Sequence, residues 1–413
     1  MQPHEMYAGG TLTGRALGAF GTAIRDTHLA LAGRVFDRIG PTAAPVRVMH
    51  DAISTLAYGG VSSALRHAPR GAGAVAALRA PADVPSLADT VGGAFALGAL
   101  NAAAGDRLER ERSPLAVPMQ LRVGGRPVDT EAHTLADAYP DATGRLAVFV
   151  HGLGGNEDVW RLDPWAREVP NRLVYGDLLR DELNITPVYV RYNTGRRISD
   201  NGRDLAMLVD AVAAHWPVPV GSIALIGHSM GGLVARSACH VAARDDRAWL
   251  PFAHHVVCLG SPHAGAPLER GANLLGHLLR TAPETRPWGE MVNARSLGIK
   301  DLRFGSVAEE DWDGHDPDEL LRDRRTDVAP PPGITVHTVS ASVTADRDHP
   351  LGRVVGDVLV QERSATGPRH THPLAQSPEH HHHLDGAHHW TLLSHPDVGQ
   401  ALCDWLRPVM LAR

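Results

Sequence analysis

The chain has 413 residues, 43% of them hydrophobic and 21% charged, enough to bury a large core in one big domain with an appendage. Its formal net charge of -6 and isoelectric point near 6.5 give no electrostatic reason to expect a nucleic-acid partner. Three cysteines, Cys239, Cys258 and Cys403, lie far apart, which excludes a disulfide-stapled scaffold and reads as reduced thiols. No basic segment leads into an apolar run around Glu5, so no signal peptide is visible. Val91 to Ala104 is too short and too rich in glycine and alanine to span a bilayer, and a cytoplasmic location is the expectation.

Residues 1–113 are rich in alanine and glycine and read as helical. Leu17, Phe20, Ile24, Leu31, Val35 and Ile39 recur at helical spacing until Pro41 ends the run. A second pattern passes through Met49, Ile53, Leu56 and Leu65, and shorter ones follow Gly71 and Ser86. No cluster of catalytic residue types falls here, so an ancillary helical layer packed on the main domain is favoured over a membrane-surface module. The proline- and charge-bearing stretch from Gly105 to Pro118 is the expected boundary.

Met119 to Val128 alternates around Gly124-Gly125 and predicts a hairpin. Leu146 to Val150 is a continuous apolar run, as in a strand buried on both faces, and it ends in His151-Gly152-Leu153-Gly154-Gly155. Glycines directly after such a strand let backbone N–H groups point into the cleft at the sheet's carboxyl edge, where open α/β sheets bind ligands. Pro187 to Tyr192 is the next strand, and Leu205, Leu208, Val209, Val212 and Trp216 mark a helix stopped by Pro217. Ile223 to Gly227 is again apolar and β-branched; it stops at a glycine, presents Ser229 and continues from Leu233 in helical character. His255 to Gly260 and Ile334 to Val339 complete the strands, the former running into Ser261-Pro262-His263-Ala264-Gly265. His263 is expected to hydrogen-bond loop backbone. Strands separated by helical patterns mean βαβ units and a mostly parallel sheet. The long stretch from about 266 to 333 carries an apolar helix face of Leu274, Leu275, Leu278 and Leu279 and is the expected cap or lid, with those leucines as substrate-binding residues.

A strand that turns sharply into a helix with serine at the apex is a nucleophile elbow. Gly227 and Gly231 flank the serine because a Cβ at either position would collide with the facing strand or helix. Such a serine needs a base, a carboxylate to orient the base and donors for an oxyanion, and α/β-hydrolases supply the acid and then the base downstream of the serine. Here Asp357 stands in Gly356 to Val360 and is followed by His388-His389-Trp390 and Leu392-Leu393-Ser394-His395-Pro396.

With these five pieces in order, the chain from about Leu146 onward resembles an α/β-hydrolase of the lipase/esterase group, near the bacterial lipases and the GPI-inositol-deacylase-like hydrolases. The resemblance implies a catalytic domain over 114–413 beside the helical region 1–113. It implies Ser229 as nucleophile on an ester carbonyl, His389 as general base, Asp357 as its partner, and the N–H groups of Leu153 and Met230 as the oxyanion hole. His389 is preferred to His388 because a Leu-Leu pair and a His-Pro follow it at the family's spacing. Val358 stands where the family more often has glycine, and Asp346 and Asp348 are the alternative carboxylates. A small-molecule or lipid ester is the expected substrate, with no cofactor and no metal; a membrane surface is possible but not indicated. A thioesterase, an amidase, a lipid-headgroup deacylase or a non-catalytic interaction protein are the alternatives. The segment His370 to His389, with His380-His381-His382-His383 inside it, is surrounded by prolines and polar residues and is expected to be a mobile loop without the fixed frame that a metal site needs.

Overall fold

The structure is a computed structural model and describes residues 1–81, 83–162, 171–344, 357, 359–367, 374 and 377–410. It divides into two compact units, residues 1–93, 108–115 and 270–295 in one, and 94–107, 116–269 and 296–413 in the other.

The first unit is dominated by α1 (Pro3–Ile39) and α2 (Ala44–Arg79), two long helices joined through Gly40, whose φ of 89° only glycine adopts without strain, and Pro41. Their seam is built from backbone. A Cβ on Gly14 would stand 2.1 Å from the Arg66 carbonyl oxygen, and one on Gly10 would stand 2.4 Å from that of Pro69. Small residues therefore occupy the buried side of α1, and the periodic stripe Leu17, Phe20, Ile24, Leu31, Val35 and Ile39 is exposed, Leu31 at 53%. The stripe has the spacing of a helix but is not its packed face. Nor does a separate helix begin after Gly71, because α2 runs unbroken through Pro69 and Gly71 to Arg79. Helix Arg286–Asn293 packs on α1 in the same unit, with the Trp288 indole N–H donating to Thr27 Oγ1 at 3.1 Å and Phe20 edge-on to Trp288 at 5.6 Å.

The second unit holds the sheet. After α3 (Val91–Arg110) come β1 (Gln120–Val123) and β2 (Arg126–Val128), an antiparallel hairpin turning on Gly124 and Gly125 at φ 58° and 79°. Then follow β3 (Arg145–Val150), β4 (Thr186–Arg191), β5 (Ser222–His228), β6 (Ala253–Leu259), β7 (Thr335–Ser342) and β8 (His381–Asp385). The spatial order is β2-β1-β4-β3-β5-β6-β7-β8, and every pair from β4 to β8 is parallel. Between strands lie α4 (Ala132–Ala138), α5 (Val159–Leu162), α6 (Tyr175–Leu183), α7 (Ile198–His215) and α8 (Met230–Arg244). Alternate residues of each central strand face opposite ways, so the continuous apolar runs serve two cores. Val148, Val150 and Leu225 pack with Leu205 and Val209 of α7 and Leu233 of α8. Phe149, Ile226 and Val257 pack with Leu179 of α6 and with Leu402 and Leu406 of the C-terminal helix Pro396–Met410. This is the mostly parallel, helix-flanked sheet of an α/β-hydrolase. No described helix is long and apolar enough to cross a membrane.

One expectation changes. The histidine run does not lie in a loop: residues 381–385 are the edge strand β8, in register with β7 from Thr338↔His381 to Ser342↔Asp385. Leu384 anchors it in the core, and hydroxyls of β7 meet the imidazoles. In the long insertion, α9 (Pro267–Leu279) presents Leu274, Leu275 and Leu278 to solvent, Leu275 at 50%, with Leu279 partly covered.

Candidate active site

β5 ends at His228 and α8 starts at Met230, leaving Ser229 between them at φ 54° and ψ −123°. That backbone conformation is unfavourable for any residue with a Cβ. It persists because the surroundings over-determine it. The Ser229 N–H donates to the Leu259 carbonyl at 2.8 Å, and the Gly232 N–H donates to the Ser229 carbonyl at 3.2 Å. A Cβ on Gly227 would sit 2.3 Å from the Gly232 nitrogen, and one on Gly231 2.1 Å from the Val150 carbonyl oxygen, so strand, turn and helix close to this distance only with glycines there. Ser229 is partly exposed while its neighbours are buried.

Met230 is the first residue of α8, so its N–H has no carbonyl one turn back and lies at the positive end of the helix. The loop after β3 faces it. The Gly155 N–H donates to the Gly152 carbonyl at 3.1 Å, closing a turn with Leu153 and Gly154 at its centre, and the Gly154 N–H donates to Thr194 Oγ1 at 3.1 Å. In such a turn the N–H of the second residue, here Leu153, takes no part in the closing bond. Gly152 abuts the serine, since a Cβ on it would stand 2.9 Å from Ser229 Cβ. Behind the loop lies α3, with Gly98 against the Gly154 carbonyl oxygen, where a Cβ would stand only 2.5 Å away.

His389 begins a short 3-10 helix, His389–Leu393, beyond β8 and is buried. Its Nδ1 lies 2.6 Å from Asp357 Oδ2, and its backbone N–H donates to the Asp357 carbonyl at 3.0 Å. The other carboxylate oxygen of Asp357 accepts the N–H groups of Leu359 at 3.0 Å and Val360 at 2.7 Å. Asp357 is thus both a turn residue and the partner of the imidazole. His389 Nε2 is buried with no hydrogen-bond partner among the described residues. Gly260 follows β6 directly after Leu259, the residue that holds the Ser229 N–H, and a Cβ on Gly260 would stand 3.1 Å from the His389 ring. Serine and imidazole therefore flank the same strand end. His388 serves the backbone instead, with its Nδ1 accepting the Thr391 N–H at 3.3 Å and so capping the 3-10 helix. Asp346 and Asp348, the alternative carboxylates, and Val358 lie outside the described residues.

Several supporting residues carry no sequence signal of their own. His228 Nε2–H donates to the His389 carbonyl at 3.1 Å, with ring centroids 4.6 Å apart, and burial holds its pKa well below the ordinary value. His151 donates from Nδ1 to the Gly152 carbonyl at 2.9 Å and accepts the Tyr192 N–H on Nε2 at 3.3 Å. That pattern requires the neutral ring, and burial pushes its pKa down to about 4. The Tyr192 hydroxyl donates to the His151 carbonyl at 2.7 Å. Below the loop, Glu157 accepts two bonds of 2.6 Å from Arg191 and one of 3.3 Å from Arg122. Burial alone would raise its pKa, but the Arg191 hydrogen bonds and the two guanidinium charges outweigh it and hold the carboxyl below its ordinary value. His263 differs from expectation, because its Nδ1 faces the Arg236 guanidinium at 3.2 Å instead of loop backbone.

A hydroxyl on a strained turn and a buried imidazole oriented by a carboxylate are parts that acyl transfer requires. Comparison with known proteins bears on the fold. Residues 141–320 match the PGAP1-like alpha/beta domain. No curated protein matches the chain. Among solved structures it is similar to the lipase BlEst2 of Bacillus licheniformis in propeptide form, at 17% identity and a TM-score of 0.37 over 66% of this chain and 51% of the other. It therefore spans about half the length of that lipase. It is also similar to the lin2722 gene product of Listeria innocua, at 16% identity and a TM-score of 0.36 over 64% and 94%. A mutant of the esterase E40 is similar at 16% identity and a TM-score of 0.35 over 77% and 97%. The parallel sheet, the strand–serine–helix turn and the match over residues 141–320 agree on an α/β-hydrolase fold, with similarity to the PGAP1-like alpha/beta domain over residues 141–320.

Proposed function

We propose that the chain hydrolyses carboxylic esters through an acyl-enzyme on Ser229, within residues 114–413. The observation that carries this reading is the state of His389: Nδ1 is held by Asp357 at 2.6 Å, and the buried Nε2 has no hydrogen-bond partner among the described residues. An imidazole fixed on one nitrogen and open on the other is prepared to accept a proton.

In this reading Ser229 Oγ attacks the ester carbonyl carbon and its proton passes to His389 Nε2. The carbonyl π electrons move to oxygen, and the N–H groups of Leu153 and Met230 stabilise that oxyanion. Collapse breaks the bond to the alcohol oxygen, which leaves with the proton from His389. Water then gives a proton to the same nitrogen, adds to the acyl carbon and releases the acid, restoring the serine. Asp357 stabilises the imidazolium in both halves without taking its proton. The exposed leucine face of α9 is the proposed acyl-chain surface.

A fluorophosphonate probe tests the reading. The intact chain is expected to be labelled at Ser229 and to cleave p-nitrophenyl esters, and Ser229→Ala to do neither. Equal labelling of both proteins would overturn it.

A further inference from the structure

Strand β8 sets His381 and His383 two residues apart at the sheet edge, so both imidazoles project from one face while His382 projects from the other. Helix Glu362–Ala365 brings Glu362 to the same face, and one ligating atom from each of Glu362, His381 and His383 lies within 4.8 Å of the others. The frame around them is polar and ordered. Thr338 Oγ1 lies 2.9 Å from His381 Nδ1, and Ser340 Oγ lies 2.7 Å from His383 Nδ1 and 3.3 Å from His381 Nε2. The His383 side chain is only 6% exposed, yet its Nε2 makes no hydrogen bond within the described residues, although Asp385 Oδ1 is 3.4 Å away.

We propose that Glu362, His381 and His383 form a structural site for a divalent transition metal of the zinc class. Two imidazoles and a carboxylate are a borderline donor set that zinc, cobalt and nickel prefer to the oxygen-seeking calcium and magnesium. Ser340 Oγ on His383 Nδ1 leaves that ring's Nε2 to the ion, as partners behind metal-bound histidines do, while Thr338 Oγ1 holds His381 Nδ1 and an ion on His381 Nε2 would replace its 3.3 Å contact with Ser340 Oγ. Three protein ligands leave a tetrahedral ion one position for water. Glu362 follows Asp357 in the chain and His383 precedes His389, so the ion would tie the segment carrying the carboxylate to the strand leading to the imidazole. No step of ester hydrolysis runs through it, and Ser229→Ala protein serves equally well for the test.

The test uses the full chain, stripped by a chelator and titrated with zinc by calorimetry and with cobalt by visible absorption. One tight equivalent of zinc is expected, with a rise in Tm on loading and the intense visible bands of tetrahedral cobalt. Glu362→Gln, which keeps shape, and His383→Asn are each expected to weaken zinc by on the order of 100-fold, and His382→Asn to bind as the parent does. If the parent takes up no tight equivalent, or if His382→Asn weakens binding as much as the other two, the site is not there.

Discussion

His389 takes its position from Asp357 twice, through its Nδ1 at 2.6 Å from the carboxylate and through its backbone N–H on the Asp357 carbonyl at 3.0 Å. The two ties have separable consequences. Asp357→Asn keeps the backbone tie and the turn but offers an amide where the imidazole needs an anion. Its kcat on a short p-nitrophenyl ester is expected to fall about 10⁴-fold with the circular dichroism spectrum unchanged. A fall of less than tenfold, or an equal fall in Asp346→Asn or Asp348→Asn, would reassign the acid.

Ser229 stores strain that its chemistry does not need once the hydroxyl is removed. At φ 54° and ψ −123° a side-chain-bearing residue costs on the order of 1–3 kcal/mol, and glycine recovers most of that less its larger unfolded-state entropy. Ser229→Gly is expected to be inactive on esters and about 1 kcal/mol more stable in urea unfolding. A glycine variant less stable than the parent would show that the turn is relaxed.

Two buried guanidiniums, of Arg122 and Arg191, meet at the Glu157 carboxylate. Glu157→Gln removes the carboxylate charge that both guanidiniums meet, and a loss of about 3–5 kcal/mol is expected. Because the folded pKa lies below the ordinary 4.5, the stability it contributes is complete above that value and is lost as pH falls through the folded pKa. In the Gln variant the acid limb of the stability curve below pH 4.5 should accordingly be shallower. An unchanged limb counts against the pairing.

Buried histidines act at higher pH. His151 and His255 both sit near 4, pushed down by burial, against 6.5 when unfolded. Between those values the unfolded chain binds protons that the folded chain refuses, so stability falls as pH falls. Each contributes a loss of about 2–3 kcal/mol by pH 4.5. Urea midpoints at pH 7 and 4.5 measure it, and equal midpoints would mean that these rings are not buried as neutral groups.

Leu275 and Leu279 give the test of substrate. Both lie on a face with exposed leucines, so their joint replacement by serine is expected to change stability by no more than about 0.5–1 kcal/mol. A selective loss of long-chain over short-chain ester turnover supports the acyl-binding proposal; an unchanged chain-length series removes it.

The central strands were legible because each is a continuous apolar run, and the Ser229 turn because two glycines fix it at both ends. What periodicity hid is equally physical. The stripe from Leu17 to Ile39 repeats as a helix should, but α1 buries its glycines, since two backbones approach where side chains are absent. Strand β8 escaped because histidine reads as polar, and its pairing depends on hydroxyls from β7 that lie far away in sequence. His228 and Tyr192 orient the site through backbone carbonyls, contacts that no local pattern encodes.

All three cysteines are buried and unbridged, Cys239 in α8 and Cys258 in β6 within the same core, with burial pushing both thiols up to about 12. They are silent toward thiol reagents for as long as the fold is closed. Their modification rate is therefore a built-in clock for opening of the core beneath the serine, readable without adding a single foreign probe.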